Sequence, residues 1–180
     1  GPNKPNTFPD FIAVAKHLSA EKIGNGQAIV AHGASAGGLL MGVVANQAAD
    51  LFAAIIAQVP FVDMLNTMLD DTLPLTPPEW PEWGNPILSA KDYRTIAGYS
   101  PYDNVAAQDY PAILAQAGLT DPAVTYWEPA KWVARLRDTM TNDANIVLKT
   151  NMSAGHGGAA GRFDRLAEVA LAYAFALKHV

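Results

Sequence analysis

The sequence has no cysteine, few charged residues and no long apolar run. Without cysteine, neither a disulfide nor a thiolate metal site can form. Only 16% of the 180 residues are charged, and the net charge is −5 without a basic cluster, so the chain lacks the electrostatic footprint of a nucleic-acid-binding protein. No apolar segment reaches the length that spans a membrane, and no segment has the pattern of a signal peptide. Half of the residues are apolar, which predicts one globular domain with a substantial core.

The motif G-x-S-x-G at residues 33–37 is the strongest feature that is present. The apolar, partly β-branched segment 27–31 precedes it and predicts a buried strand, whereas the longer apolar segment 39–45 follows it and predicts a buried helix. A strand that leads into a glycine-flanked serine at the start of a helix is the context of a nucleophile elbow. Ser35 is therefore the candidate nucleophile. The alternative is a plain glycine-rich turn between a strand and a helix.

Strands and helices alternate along the rest of the chain. The proline-rich segment 73–86 is expected to be irregular, because prolines lack an N–H donor and break helices. A turn is expected at residues 24–26, and the last helix carries an apolar stripe that we expect to face the core. The pattern predicts an α/β fold with a mostly parallel sheet of about four strands flanked by helices. Beyond the elbow, strands are expected over residues 53–59, 112–117 and 146–149, and helices over residues 8–18, 62–69, 86–97, 126–140 and 162–177.

The predicted strand ends carry the side chains of a catalytic triad. Ser35, Asp121 and His156 follow strands in the order found in α/β-hydrolases, and ligands of parallel sheets bind beyond these ends. His156 is the expected general base, Asp121 the residue that orients it, and the backbone N–H of Ala36 the first oxyanion-hole donor. Taken singly, Asp121 is more simply a turn residue and His156 a loop residue. No cofactor is expected, since no spacing of histidines or carboxylates fits a metal site.

Several sequence blocks together cover nearly the whole chain: G-A-S-A-G-G-L-L-M-G-V-V-A-N-Q at 33–47, I-A-Q-V-P-F-V-D at 56–63, E-W-G-N-P at 82–86, S-P-Y-D-N-V at 100–105, G-L-T-D at 118–121, Y-W-E-P-A-K-W-V-A-R-L-R at 126–137 and S-A-G-H-G-G at 153–158. These blocks resemble the prolyl oligopeptidase family of serine peptidases, and in particular the C-terminal part of the catalytic domain in the branch that cleaves after basic residues. The resemblance implies an α/β-hydrolase fold, Ser35, Asp121 and His156 as the triad, and cleavage of short peptides after Arg or Lys through an acyl-enzyme. Members of the family are similar in excluding large proteins with an N-terminal β-propeller.

The same resemblance assigns Glu79 to a pocket for the basic side chain of the substrate, with Glu82 beside it. A carboxylate suits this role because it forms a charge-assisted, bidentate pair with a guanidinium. The sequence departs from the family at two places: Pro81 stands where some relatives have another acid, and Ala123 stands where many have an arginine. The alternative for Glu79 is a solvated charge in a loop.

By this resemblance the chain corresponds to the second half of the hydrolase sheet. Residues 3–180 are then expected to form a single truncated catalytic domain without the N-terminal strands and propeller, and residues 1–2 to be the remnant of a tag. The strand before Ser35 would become an apolar sheet edge, and such edges pair with other chains. We therefore expect a homo-oligomer, a strand-swapped dimer, or pairing by the protein's own N-terminal segment. The resemblance also places a tyrosine of the oxyanion hole in the missing part, which predicts weak activity.

Different classes of function are compatible with these features. The first is a serine peptidase that acts on small peptides or esters with Arg or Lys at the cleaved position, and an esterase with an open site is its variant. The alternative is a non-catalytic hydrolase fragment that self-associates or binds a partner. We expect the peptidase, because the serine, the aspartate and the histidine are all present. We expect no nucleic-acid or membrane partner and a cytoplasmic location, with the periplasm as the alternative.

Overall fold

The computed structural model describes residues 3–24 and 28–180, which form a sheet with helices on both faces. Residues 1–2 with the expected tag remnant, residues 25–26 of the expected turn, and Gln27 at the start of the first expected strand lie outside the described residues. The described strands are β1 (Val30–Ala34), β2 (Ala54–Gln58), β3 (Ala112–Gly118) and β4 (Ile146–Asn151). The helices are α1 (Thr7–Ala20), α2 (Ala36–Gln47), α3 (Met64–Met68), α4 (Thr76–Trp83), α5 (Ala90–Ala97), α6 (Trp127–Thr139) and α7 (Arg162–His179), with short 3₁₀ turns at Lys4–Asn6 and Ala49–Leu51.

The sheet is parallel throughout, with the strands in the order β1-β2-β3-β4. The expected α/β architecture is thus confirmed. Neighbouring strands are joined by helical crossovers, as parallel pairing requires. All carboxyl ends of the strands consequently lie along one edge of the sheet, which brings the loops that follow β1, β3 and β4 to the same side of the molecule.

Each face of the sheet carries its own apolar cluster, because both faces of a parallel sheet are covered by helices. On one face, Ile55 and Ile113 pack in a cluster with Trp132 of α6, which is fully buried. On the opposite face, Leu114 packs in a cluster with Phe175 of α7. The central strands β2 and β3 are therefore buried and apolar at nearly every position and show no alternation of polar and apolar residues.

The prediction of an irregular segment at residues 73–86 is wrong, since α4 occupies most of it. Pro77 and Pro78 lie in the first turn of this helix, where backbone N–H groups have no partner within the helix, so that prolines cost little there. Pro81 lies inside the helix and removes one donor, and α4 ends soon afterwards at Trp83. The prolines set the start and the length of the helix rather than preventing it.

The apolar stripe of the last helix does not face the core as we expected. Phe163, Tyr173 and Leu177 on α7 expose 78%, 68% and 71% of their surface, whereas Ala172 and Phe175 are the buried residues of the helix. The helix α7 packs on the sheet through the face that carries Ala172 and Phe175, and no described element covers the stripe that carries Phe163, Tyr173 and Leu177. None of the helices in the described part of the chain is long and apolar enough to cross a membrane.

Candidate active site

Ser35 lies in a strained turn between β1 and α2. Its φ of +56° and ψ of −119° are unusual for a residue with a side chain, and the turn is held by backbone hydrogen bonds from Ser35 N to Gln58 O at 2.9 Å and from Phe61 N to Ser35 O at 3.2 Å. A Cβ atom at Gly33 would lie only 2.3 Å from the carbonyl oxygen of Gly37. The turn therefore requires glycine at position 33 and presents the serine side chain at the edge of the sheet.

The second glycine of the motif has a different role from the one expected. A Cβ atom at Gly37 would meet no atom within 4 Å, so a side chain fits there. The steric requirement lies one residue later, because a Cβ atom at Gly38 would come within 2.5 Å of the Cα atom of Pro60. The close approach of α2 to the segment after β2 thus depends on Gly38, which the G-x-S-x-G pattern does not include.

The structure joins Ser35, His156 and Asp121 in one chain of hydrogen bonds. The Oγ atom of Ser35 lies 3.1 Å from Nε2 of His156, and Nδ1 of the same ring lies 2.8 Å from Oδ2 of Asp121. The Asp121 side chain is inaccessible to solvent, whereas that of His156 is 34% exposed. The imidazole is therefore anchored on its buried side and open to a substrate on the other.

The hydrogen bonds of Asp121 determine which nitrogen of His156 is free to accept a proton. Oδ1 of Asp121 accepts the backbone N–H groups of Ala123 at 2.8 Å and Val124 at 2.9 Å, which orient the carboxylate. Oδ2 is then available as an acceptor for Nδ1–H of His156. With the proton on Nδ1, the Nε2 atom carries a lone pair directed at Ser35 Oγ and can accept its proton.

The loop that carries His156 lies directly against the loop that carries Asp121. A Cβ atom at Gly118, the last residue of β3, would lie 2.6 Å from the carbonyl oxygens of both Ala154 and Gly155. Thr120 N donates a hydrogen bond to the oxygen of Ala154 at 3.1 Å across this contact. The absence of a side chain at Gly118 thus allows the distance between Asp121 and His156 to be short.

A carboxylate from α7 holds the His156 loop at both ends, and the sequence analysis did not identify it. Oε1 of Glu168 accepts a hydrogen bond from Nδ2 of Asn151 at 2.7 Å, at the end of β4. Oε2 of Glu168 accepts the backbone N–H of Ala159 at 3.0 Å, after the histidine. The only sequence signal for this role is an acidic residue on the helix that follows the glycine-rich loop.

A cavity beside Ser35 contains the residues predicted to bind the substrate. Ser35 and Ala36 line it together with Glu79 and Glu82 of α4. Oε2 of Glu79 accepts a hydrogen bond from Nε1 of Trp83 at 2.7 Å, which orients its carboxylate. Ala36 is the first residue of α2, so its backbone N–H belongs to the free first turn of a helix and is suited to an oxyanion.

Glu82 is less available than Glu79, because Nζ of Lys4 lies 2.5 Å from Glu82 Oε1. The Glu82 side chain is also 55% exposed, so it lies at the rim of the cavity. Ala123 lines the same cavity without offering a side-chain donor. No group of three or more histidines, aspartates or glutamates among residues 3–24 and 28–180 is arranged to hold a metal ion.

A buried acid lies near this cavity and was also not identified from the sequence. Glu128, near the start of α6, has no exposed surface, and its carboxylate accepts hydrogen bonds from Thr67 and from the backbone of Asp63. Burial raises the pKa of Glu128 to about 8, and the hydrogen bonds from Thr67 and Asp63 partly oppose this. Its position in an ordinary helical segment gave no sign that polar groups of another segment would surround it.

Comparison with known proteins identifies close relatives over the whole chain. The sequence profile of the prolyl oligopeptidase family matches residues 1–180. Protease 2 of Moraxella lacunata is 54% identical over 175 residues, which are 97% of this chain and 25% of that protein. Oligopeptidase B from Leishmania major is 49% identical with a TM-score of 0.96, over 99% of this chain and 24% of that chain. Oligopeptidase B from Trypanosoma brucei, solved with covalently bound antipain in a closed form, is 48% identical with a TM-score of 0.95, over 99% of this chain and 25% of that chain. The chain thus spans about a quarter of the length of these relatives.

Proposed function

The chain belongs to the prolyl oligopeptidase family, and we propose that it acts as a serine peptidase on short peptides or esters with Arg or Lys at the cleaved position. The observation that carries the proposal is the hydrogen-bond chain from Asp121 through His156 to Ser35, which ends beside a cavity lined by Glu79. The covalently bound antipain of the Trypanosoma brucei relative supports the presence of a reactive nucleophile in that protein.

The first half of the reaction follows from the protonation pattern of the site. Nε2 of His156 accepts the hydroxyl proton of Ser35 while Oγ forms a bond to the substrate carbonyl carbon. The backbone N–H of Ala36 donates a hydrogen bond to the oxyanion, and Asp121 stabilises the imidazolium without taking its proton. His156 then transfers the proton to the leaving nitrogen or oxygen as its bond to carbon breaks, which leaves the acyl group on Ser35.

The second half repeats these steps with water. Nε2 of His156 accepts a proton from a water molecule as that water attacks the ester carbon of the acyl-enzyme. Collapse of the second tetrahedral intermediate breaks the bond to Oγ, and His156 returns the proton to Ser35. Removing a single oxyanion donor typically costs about 2.7–4 kcal/mol of transition-state stabilisation. If a second donor comes from the part of the relatives that this chain does not cover, amides will be cleaved slowly and activated esters faster.

The proposed preference for a basic group rests on Glu79. Its carboxylate lines the cavity that also contains Ser35, and the hydrogen bond from Trp83 Nε1 occupies only one of its oxygens among the contacts of the described residues. The other oxygen can accept a guanidinium or ammonium group of the substrate. Glu82 would contribute less, because it already pairs with Lys4 and is more exposed.

A fluorophosphonate probe and two esters test the proposal. We expect the probe to label the protein and Ser35→Ala to abolish labelling. We also expect an arginine ester to be cleaved faster than a neutral ester with the same leaving group, and Glu79→Gln to remove the difference. Absence of labelling in the folded protein would support the non-catalytic alternative. Labelling with no preference between the esters would support an esterase with an open site.

A further inference from the structure

A fully buried carboxylic acid joins α6 to the helix that lines the cavity. Glu128 accepts the backbone N–H of Asp63 on Oε2 at 3.0 Å and the hydroxyl of Thr67 on Oε1 at 2.8 Å. Asp63 directly precedes α3 and Thr67 lies within it, so one carboxyl group binds this short helix at both ends. Burial of an acid is costly and requires such hydrogen bonds to compensate.

The short helix α3 in turn supports the helix that carries Glu79. The carbonyl oxygen of Thr67 accepts the hydroxyl of Thr76 at 2.8 Å, at the first residue of α4. The carbonyl oxygen of Met68 accepts Nε1–H of Trp80, next to Glu79, at 3.2 Å. Thr67 and Met68 also line the cavity themselves. Contacts therefore run without a gap from Glu128 through α3 to the first turns of α4.

We infer that Glu128 is a positioning residue for substrate specificity: it holds α3, and through α3 it holds α4, so that Glu79 faces the basic side chain of a substrate bound at Ser35. The inference rests on the proposed function, since it concerns the pocket that the proposal assigns to Arg or Lys. Glu128 itself does not line the cavity and does not touch the reacting atoms.

The hydrogen-bond donors that Glu128 satisfies explain why an apolar residue could not hold α3 in the same way. Asp63 is 2% exposed, and its carboxylate accepts hydrogen bonds from Lys131 and from Nδ2 of Asn66. The backbone N–H of Asp63 and the hydroxyl of Thr67 would lose their acceptor if Glu128 became apolar, and unsatisfied buried donors are destabilising. The start of α3 would then rearrange, and α4 would move with it.

Steady-state kinetics with the two esters test this inference. We expect Glu128→Ala to raise KM for the arginine ester about tenfold, because the charge-assisted hydrogen bond between Glu79 and the substrate guanidinium contributes on that scale. The KM for the neutral ester and the rate of fluorophosphonate labelling should change less than twofold. Glu128→Gln keeps an amide oxygen as acceptor, so we expect it to restore most of the arginine preference.

A second pair of variants tests the positioning role of Glu128 without changing any residue of α6. Thr67→Val removes only the hydroxyl that binds Glu128 and should produce part of the same KM increase. Thr95→Val is the matched control, because the hydroxyl of Thr95 binds the carbonyl of Lys91 within α5, which does not line the cavity. Its kinetics should equal those of the unmodified protein.

The outcomes separate the inference from the function on which it rests. If the unmodified protein shows no arginine preference, or if Glu79→Gln leaves the preference intact, the proposed function is wrong. If the preference depends on Glu79 but persists in Glu128→Ala and Thr67→Val, only the positioning role is overturned. An equal loss of activity with both esters and with the probe would also overturn it, because that result indicates a general structural role.

Discussion

Replacing Gly118 by alanine should disconnect the aspartate from the histidine without touching either. The new methyl group would lie 2.6 Å from the carbonyl oxygens of Ala154 and Gly155, and both are backbone atoms that cannot rotate away. Reaching ordinary van der Waals contact requires the two loops to separate by about 0.8 Å. Gly118 lies just before the Asp121 loop and Ala154 just before His156. Separation of the two loops therefore lengthens the hydrogen bond between Asp121 and His156.

The magnitude follows from the geometry of that bond. Its length of 2.8 Å would increase to about 3.6 Å, which is beyond hydrogen-bonding distance. A misplacement of 1 Å in a catalytic group can cost about 100-fold in rate, so we expect Gly118→Ala to slow the reaction about 10- to 100-fold. The rate constant of fluorophosphonate labelling at Ser35 measures the effect directly, with far-UV circular dichroism to show that the variant is folded.

The matched control is Gly157→Ala, immediately after His156. A methyl group at Gly157 meets no atom within 4 Å, so the control adds the same atom to the same loop without a clash. Its labelling rate should stay within about twofold of that of the unmodified protein, because an uncrowded surface substitution has little effect. The reasoning is refuted if folded Gly118→Ala labels as fast as the control, or if both variants are slowed equally.

Three further predictions concern Glu128, Glu168 and the exposed apolar faces. Burial raises the folded-state pKa of Glu128 from 4.5 to about 8, so protonation of Glu128 favours the folded state. The free energy of unfolding should therefore fall as pH rises from 4.5 to about 8, by at most about 4–5 kcal/mol. Urea unfolding of Glu128→Gln should lack this pH dependence, and the same pH dependence in both proteins would contradict the prediction. Glu168→Ala should slow labelling of Ser35 about tenfold, because the loop that carries His156 loses its hydrogen bonds to Glu168. The labelling rate of Glu168→Gln should lie between those of the unmodified protein and Glu168→Ala, and an unchanged rate in both variants would exclude a positioning role. We also propose that a second copy of the chain pairs with the outer edge of β1 and covers the exposed apolar stripe of α7. Light scattering should then give the mass of at least a dimer, and Tyr173→Glu should dissociate it. A monodisperse monomer would rule this out.

The arrangement of strands was predictable because each has a local signal. Short apolar segments predicted β2, β3 and β4 within a few residues of their observed ends, and proline or glycine follows the first two of these segments directly. Parallel alternation then required all strands to end on one side. For that reason the sequence alone could place Ser35, Asp121 and His156 together, and the structure brings them within hydrogen-bonding distance.

The errors arise where local rules compete with tertiary contacts. The prolines around α4 act against a helix in isolation, but Thr76 and Trp80 bind the carbonyl oxygens of α3 and stabilise its start. For α7, helical spacing identified an apolar stripe correctly but could not tell which side the sheet would bind. Ala172 and Phe175 meet the sheet, whereas Phe163, Tyr173 and Leu177 stay exposed.

The acids around the site mark the boundary of what a single sequence can specify. Ser35 and His156 occur in glycine-rich motifs whose chemistry is recognisable without knowing their neighbours. Glu128 and Glu168 occur in ordinary helical segments, and their roles exist only because other segments supply the donors. The proposed nucleophile and its base are therefore encoded locally, whereas the glutamates proposed to hold the loop and the pocket in place are recognisable only from the fold. Substitutions at these two glutamates should accordingly distinguish positioning from chemistry more clearly than substitutions in the triad, which remove both at once.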